Sequence, residues 1–353
     1  MGQLGSRELC PEELQRLGPD RILVRVRSTN YLAENINAYE VVAPDGGSLP
    51  SFTAGSHIDL YFRDGRIRQY SLCNSTGEKH RYVFAVQREL NGRGGSRAIF
   101  ERVHVGRNLV ISRPRNSFPL AAQAKHSLFL AGGIGITPIM SMIHELEASG
   151  ERYSLHYCTR SREKTAFLGE LGPLAAEGKV DFHHDKGDPT RGLDIAALLR
   201  TPSPGMHLYY CGPEGFMSAV AKASAHWPTG SVHFEHFSAP ATEAAQDSAR
   251  SGGDDGILSR DVDADVAVDF AVRIASTGQT LNVPSSKSIV QVLREHGIDI
   301  PTSCESGLCG SCRTSYLEGI PDHRDYVLDD AERQHDLMIC CSRAKSKLLV
   351  LDL

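Results

Sequence analysis

The chain has 353 residues, of which 41% are hydrophobic and 23% charged, with a formal net charge of -5. That is the composition of a soluble protein of two or three domains. It excludes membrane-spanning helices, since no run of eighteen apolar residues occurs. It also lacks the basic stripe with interleaved aromatics of a nucleic-acid binder.

The charge is unevenly placed. Residues 1–242 carry 27 basic and 24 acidic groups, whereas residues 263–353 carry 9 basic and 14 acidic. An acidic C-terminal domain beside a mildly basic body favours docking of the two and steering of a protein partner. The N-terminus Met1-Gly2-Gln3-Leu4-Gly5-Ser6 has no basic segment followed by an apolar one, so a secretory signal is not expected. Its fit to a lipidation pattern reads as chance. Of the nine cysteines, Cys10, Cys73, Cys158 and Cys211 are scattered singly, which is not a disulfide framework. A reducing, cytoplasmic compartment suits them.

Residues 1–20 read as a polar extension. Strands are then expected at Ile22–Val26, Ile36–Val42, His57–Phe62, Ile67–Leu72 and Tyr82–Arg88, with turns at Asp45-Gly46-Gly47 and Arg63-Asp64-Gly65-Arg66. His57–Phe62 alternates polar and apolar, as a strand covering a core does. Short strands with Gly-rich turns predict a small closed antiparallel barrel over 21–118. Two of its features suit a flavin. Arg68, Tyr70 and Ser71 offer a cation, an aromatic wall and a hydroxyl. Arg88, then Gly92-Arg93-Gly94-Gly95-Ser96, forms a Gly-rich turn before Arg97–Val103, whose free amides suit a phosphate. The other reading of each is a basic strand and a permissive turn.

The rhythm changes at Ser127–Ala131, an apolar run of the kind found in a parallel strand buried on both faces. It leads into Gly132-Gly133-Ile134-Gly135-Ile136-Thr137-Pro138, with Thr137 expected as N-cap and Pro138 as first helical residue of a helix ending near Gly150. Small residues there let a pyrophosphate approach a helix N-terminus, although the pattern departs from G-x-G-x-x-G. Strands at Tyr153–Cys158, Val180–His184, His207–Cys211 and Val232–Phe237 alternate with helices near 166–171, 194–199 and 216–226. This predicts an α/β domain with a parallel sheet over 123–237. At the strand ends, Cys211-Gly212-Pro213 and Glu235 fall on the edge where a nicotinamide would lie. The alternative for Cys211 is an ordinary buried thiol. The histidines show no zinc spacing, and His183 and His184 point to opposite faces of a strand.

Residues 238–262, rich in Ala, Ser, Gly and Asp, read as a flexible linker. The last domain, 263–353, opens with two strands, Ala267–Val272 and one after the turn Ser276–Thr280. A helix at Ser288–His296 closed by Gly297 and a final strand, Lys347–Leu351, complete an α+β pattern. Between them lies Cys304-x4-Cys309-x2-Cys312, followed by Cys340-Cys341. Three sulfurs from one short loop and a fourth from elsewhere is the plant-ferredoxin arrangement for a [2Fe–2S] cluster. Structural zinc usually takes two tight cysteine pairs, and only one is present. Spacing does not decide between Cys340 and Cys341.

In this order, Arg68-Gln69-Tyr70-Ser71-Leu72, Gly92–Ser96, Gly132–Pro138, Tyr210-Cys211-Gly212-Pro213, Phe234-Glu235-His236-Phe237 and the cysteine loop resemble the phthalate dioxygenase reductase family, which includes vanillate demethylase reductases. The resemblance covers about residues 20–353 and implies an FMN-binding barrel, an NADH-binding α/β domain and a β-grasp ferredoxin domain. It places Arg68, Tyr70 and Ser71 along the flavin and Gly94, Gly95 and Ser96 at its phosphate. Cys211 and Glu235 fall near the nicotinamide and flavin ring. The family's Cys-x-Ser-Arg pattern selects Cys340 as fourth ligand. The implied activity carries electrons from NADH through FMN and the cluster to a Rieske-type terminal oxygenase acting on small substrates, often aromatic acids. The family also implies a monomer. Three alternatives stand beside this reading. They are an FAD-containing reductase of another monooxygenase, an electron carrier that binds no nucleotide, and a zinc-stabilised interaction module. Arg160 and Arg162 are positioned to greet the 2′-phosphate of NADPH.

Overall fold

A computed structural model describes residues 20–62, 67–89, 95–237, 269–300, 302, 307, 310–325, 327–329 and 331–353. The N-terminal extension, the linker, the Arg63–Arg66 turn, Gly92–Gly94, Cys304 and Cys309 lie outside these. The chain divides into two compact units at Phe237/Ser238.

The first unit begins with β1 (Arg21–Ala33), β2 (Ile36–Val42), β3 (His57–Tyr61), β4 (Ile67–Ser71), β5 (Tyr82–Gln87), α1 (Gly95–Arg102) and β6 (Asn108–Ser112). The strands pair antiparallel in the order β4-β3-β6-β1-β2-β5. A bridge from Leu72 to Phe84 links the two ends, closing the barrel next to Ser71. β1 runs well past the expected Val26. Its polar stretch Arg27–Asn30 has no apolar signal, yet it keeps pairing with β2 through two register shifts. α1 begins at Gly95, two residues earlier than Arg97.

The α/β layer follows with β7 (His126–Gly132), α2 (Ile136–Ser149), β8 (Tyr153–Thr159), α3 (Leu168–Ala176), β9 (Val180–His184), α4 (Ile195–Leu199), β10 (Met206–Cys211), α5 (Glu214–Ser224) and β11 (Val232–Glu235). All five strands are parallel, in the order β11-β10-β7-β8-β9. Phe129, Leu155, Tyr157 and Tyr209, all fully buried, centre one side of the sheet. A buried aromatic of this size contributes about 3–5 kcal/mol over alanine. The layer is tied to the barrel by Gly55 N–H donating to Ser141 Oγ at 3.0 Å and Ala121 N–H donating to Tyr209 Oη at 2.7 Å.

The second unit contains β12 (Phe270–Ile274), β13 (Thr280–Val283), α6 (Ile289–Glu295), β14 (Arg313–Glu318), β15 (Pro321–Asp322), β16 (Asp336–Met338), β17 (Arg343–Ala344) and β18 (Leu348–Leu351). Its main sheet runs β13-β12-β18-β14-β16, with α6 packed on one side in a shared core. A capping box starts α6, in which Ser288 Oγ accepts from Gln291 N–H and the Gln291 side chain accepts from Ser288 N–H. Gly297, at φ +77°, lets the chain leave the helix.

Candidate functional site

The parallel sheet delivers its chemistry at the C-terminal ends of β7, β10 and β11. Cys211 and Glu235 are register partners at the last rung. Two glycines bring backbones together there. A Cβ on Gly135 would stand 2.2 Å from the Cys211 carbonyl oxygen, and one on Gly212 would stand 2.6 Å from Phe216 Cδ1. Gly133 has φ +54° and open space where its Cβ would be. The loop is therefore shaped for close approach of a ligand backbone.

Thr137 and Pro138 do not take the expected capping positions. A 3-10 turn at Gly133–Gly135 starts the coil early, so α2 begins at Ile136. Thr137 is its second residue, and its hydroxyl donates to the Ile134 carbonyl at 3.0 Å. Pro138 is the third, still within the first turn, where a missing N–H removes no intrahelical bond. Pro213 instead flanks α5, as its N-cap residue with extended backbone.

Across from this edge, β4 ends at Ser71, whose Oγ donates to Glu235 Oε2 at 3.3 Å. Those two residues are 164 apart in sequence. Burial pushes the Glu235 carboxyl up to about 8, so at neutral pH it is a protonated acid. Burial pushes the Cys211 thiol up as well, and Glu235 adds to this once it ionises, so Cys211 is not a nucleophile.

The barrel side holds the other expected residues. Tyr70 is tilted against Phe84 with centroids 5.5 Å apart. The Arg68 side chain lies across Gly95, where a Cβ would stand 2.4 Å from its Nε. Ser96 Oγ accepts from Glu89 N–H at 3.0 Å, fastening the start of α1. Both contacts fall on the two helical residues that precede Arg97. The buried Nε of Arg88 has no hydrogen-bond partner among the described residues, which fits an anion bound here. Gly94, also expected here, lies outside the described residues.

In the second unit, Cys312 and Cys340 are buried. The Cys340 thiol is held well above its usual range by hydrogen bonds to the Cys312 and Cys341 sulfurs and by burial. A Cβ on Gly307, in the cysteine loop, would stand 2.6 Å from Cys341 Sγ. Cys341 thus lies against the loop, and although no group of three metal-ligating side chains gathers among the described residues, thiols are the donors that soft thiolate-bound iron takes. Cys304 and Cys309, expected to complete it, lie outside the described residues.

Two histidines bear on the earlier reading. His183 Nε2 lies 3.0 Å from His156 Nδ1 while His184 Nδ1 lies 3.0 Å from Thr159 Oγ1, so the pair does face opposite ways. His57 is the residue the alternation misplaced. It and Asp59 are buried, because β3 is covered on both faces. His57 Nδ1 stands 3.8 Å from Glu235 Oε1.

A model described as "2Fe-2S iron-sulfur cluster binding domain" matches residues 272–345, and one described as "Oxidoreductase NAD-binding domain" matches 129–222. The chain is 54% identical to the tert-butanol monooxygenase / tert-amyl alcohol desaturase reductase subunit of Aquincola tertiaricarbonis, over 94% of this chain and 95% of that one. It is 41% identical to the phthalate dioxygenase reductase of Burkholderia cepacia, over 94% and 97%. A solved phthalate dioxygenase reductase, described as a modular structure for electron transfer from pyridine nucleotides to [2Fe–2S], superposes with a TM-score of 0.72. It is 40% identical and covers 96% of this chain and 99% of its own. No helix among the described residues is long and apolar enough to cross a membrane.

Proposed function

The chain belongs to the phthalate dioxygenase reductase family and is an NADH-dependent flavin and iron–sulfur oxidoreductase, and from that premise we propose that it is the reductase component of a Rieske-type oxygenase system. The observation that carries this is the meeting of Ser71, from the barrel, with Glu235, from the edge of the nucleotide sheet, at 3.3 Å. It joins an expected flavin edge to an expected nicotinamide edge at one point.

The chain's own residues have distinct tasks. Arg68, Tyr70 and Ser71 hold FMN, and Arg88, Gly94, Gly95 and Ser96 hold its phosphate. Gly133, Gly135, Thr137, Pro138, Gly212 and Pro213 form the NADH cradle, where the glycines admit the pyrophosphate to the N-terminus of α2. Cys211 packs under the nicotinamide as a neutral thiol. Glu235 presents a neutral acid to the ring edge, which keeps negative charge away from an incoming hydride. Cys304, Cys309, Cys312 and Cys340 hold the cluster. When bound, the flavin accepts a hydride and the cluster accepts electrons singly. The domains are 21–118, 123–237 and 263–353, with 1–20 an extension and 238–262 a linker. The protein works as a cytoplasmic monomer without nucleic-acid or membrane partners.

The terminal oxygenase chooses the substrate. The relative at 54% identity carries the name of a tert-butanol monooxygenase system and the one at 41% that of a phthalate dioxygenase. The higher identity favours an oxygenase of small branched alcohols over one of aromatic acids as this chain's partner. Anaerobic titration with NADH, with flavin and iron measured on the same sample, tests the reading. One FMN, two irons and bleaching of both chromophores are expected. A loaded protein reduced by neither NADH nor NADPH would falsify it.

A further inference from the structure

His57 is 1% exposed and neither of its ring nitrogens has a hydrogen-bond partner among the described residues. Its neighbour Asp59 is equally buried but satisfied, since Arg115 Nη2 donates to Asp59 Oδ2 at 2.6 Å. Native folds pair almost all buried polar groups, so an imidazole left with two open positions points to a role. Its backbone is fixed. The His57 N–H donates to the Arg115 carbonyl, the Arg115 N–H donates back, and the strand register sets His57 opposite Ser71. From that position Nδ1 faces Glu235 Oε1 across 3.8 Å, with side chains 1% and 12% exposed. The other oxygen of the same carboxyl accepts from Ser71.

We propose that His57 is a positioning residue for the reductase site, and that it and Glu235 hold one proton between them, which crosses from the carboxyl oxygen to Nδ1 and back. The proposal rests on the reading of Glu235 as a group at the flavin edge. The crossing breaks one O–H bond, makes one N–H bond and leaves a carboxylate beside an imidazolium, with no change of oxidation state. A flavin that has taken a hydride would bear a negative charge, and a site shielded from water needs a proton that can be lent to offset it and taken back as the electrons leave. The pair supplies one. The groups that face His57 are Ser71 on β4, Glu235 on β11, Asp59 on its own strand and Arg115 after β6. Burial and Arg115 pull His57 down to about 4, against the opposing pull of Asp59, while burial holds Glu235 at about 8. Between those limits the pair carries a single proton and rests as a neutral acid beside a neutral imidazole.

The test is NMR of the holoprotein labelled with 15N-histidine, with the His57 signals identified by their absence in His57→Gln. The ring nitrogens of the wild type are expected to inflect as Glu235 titrates near pH 8, and the inflection is expected to vanish in Glu235→Gln. In stopped flow, His57→Gln is expected to slow the proton-linked electron transfer from flavin to cluster about tenfold, with a reduced solvent isotope effect and unchanged NADH affinity. Ring signals that stay constant through the titration of Glu235, or that inflect identically in Glu235→Gln, overturn the proposal whatever the kinetics show. If His57→Gln does not fold, the comparison of wild type with Glu235→Gln still decides, because the signals of the other fourteen histidines can be assigned by their own variants and that of His57 follows by difference. Failure of NADH to reduce the protein would instead remove the functional reading and leave the titration standing as a result about the pair.

Discussion

The two redox sites of this chain are built in opposite ways. The cysteine loop is local, with Cys304, Cys309 and Cys312 within nine residues and Cys340, the proposed fourth ligand, returning from further along the chain. The proposed hydride site is assembled from β3, β4, β10 and β11, and its central contact spans 164 residues. A covalently ligated centre needs the right donors on a short leash. A site of neutral acids and close backbones needs the whole fold to hold its distances. The first is damaged by changing a ligand, the second by changing a spacing.

The largest effect should come at the local site. Cys340→Ser is expected to abolish the cluster, read as loss of iron and of its visible bands, whereas Cys341→Ser is expected to keep two irons per chain. The reverse result would exchange the roles of the two cysteines and leave the comparison intact. At the other site, Gly135→Ala places a Cβ 2.2 Å from the Cys211 carbonyl oxygen. The 3-10 turn and the end of β10 must then part, at a cost of about 3 kcal/mol, read in thermal unfolding together with weakened NADH binding. Cluster absorbance per folded chain should not change.

Glu235→Gln sharpens the comparison by altering chemistry without altering shape. It should slow flavin reduction by about 10²-fold with little change in KM. It should also change the pH dependence of stability. Glu235 rises from 4.5 to about 8 in the fold, so between those values the native state keeps a proton that the unfolded chain has lost. Stability is therefore lost as pH rises through that window. His57, lowered from 6.5 to about 4, works the other way, and its contribution is lost as pH falls from 6.5 towards 4. The wild type should thus lose melting temperature between about pH 6.5 and 8, and Glu235→Gln should lose less. The smallest effect is expected from Thr137→Val. It removes the hydroxyl bond to the Ile134 carbonyl, worth about 1 kcal/mol, and should leave the hydride step intact.

The sequence alone determined the order of the parts: an antiparallel barrel, an alternating α/β sheet and a cysteine-loop domain. It also marked Arg68, Tyr70, Ser71, Cys211 and Glu235, because strand-end position and residue type are local properties. Periodicity and turn chemistry act over a few residues, so they can be read without a fold. Tertiary structure decided the rest. The 3-10 turn that moves Thr137 and Pro138 into α2 sets Gly135 against a distant carbonyl, and α1 starts at Gly95, where Arg68 leaves no room for a Cβ. His57 looked like the wet face of an amphipathic strand, because alternation records which side a residue faces but not whether a second layer covers that side. Only the packing of the α/β sheet against the barrel turned that position into a buried neighbour of Glu235.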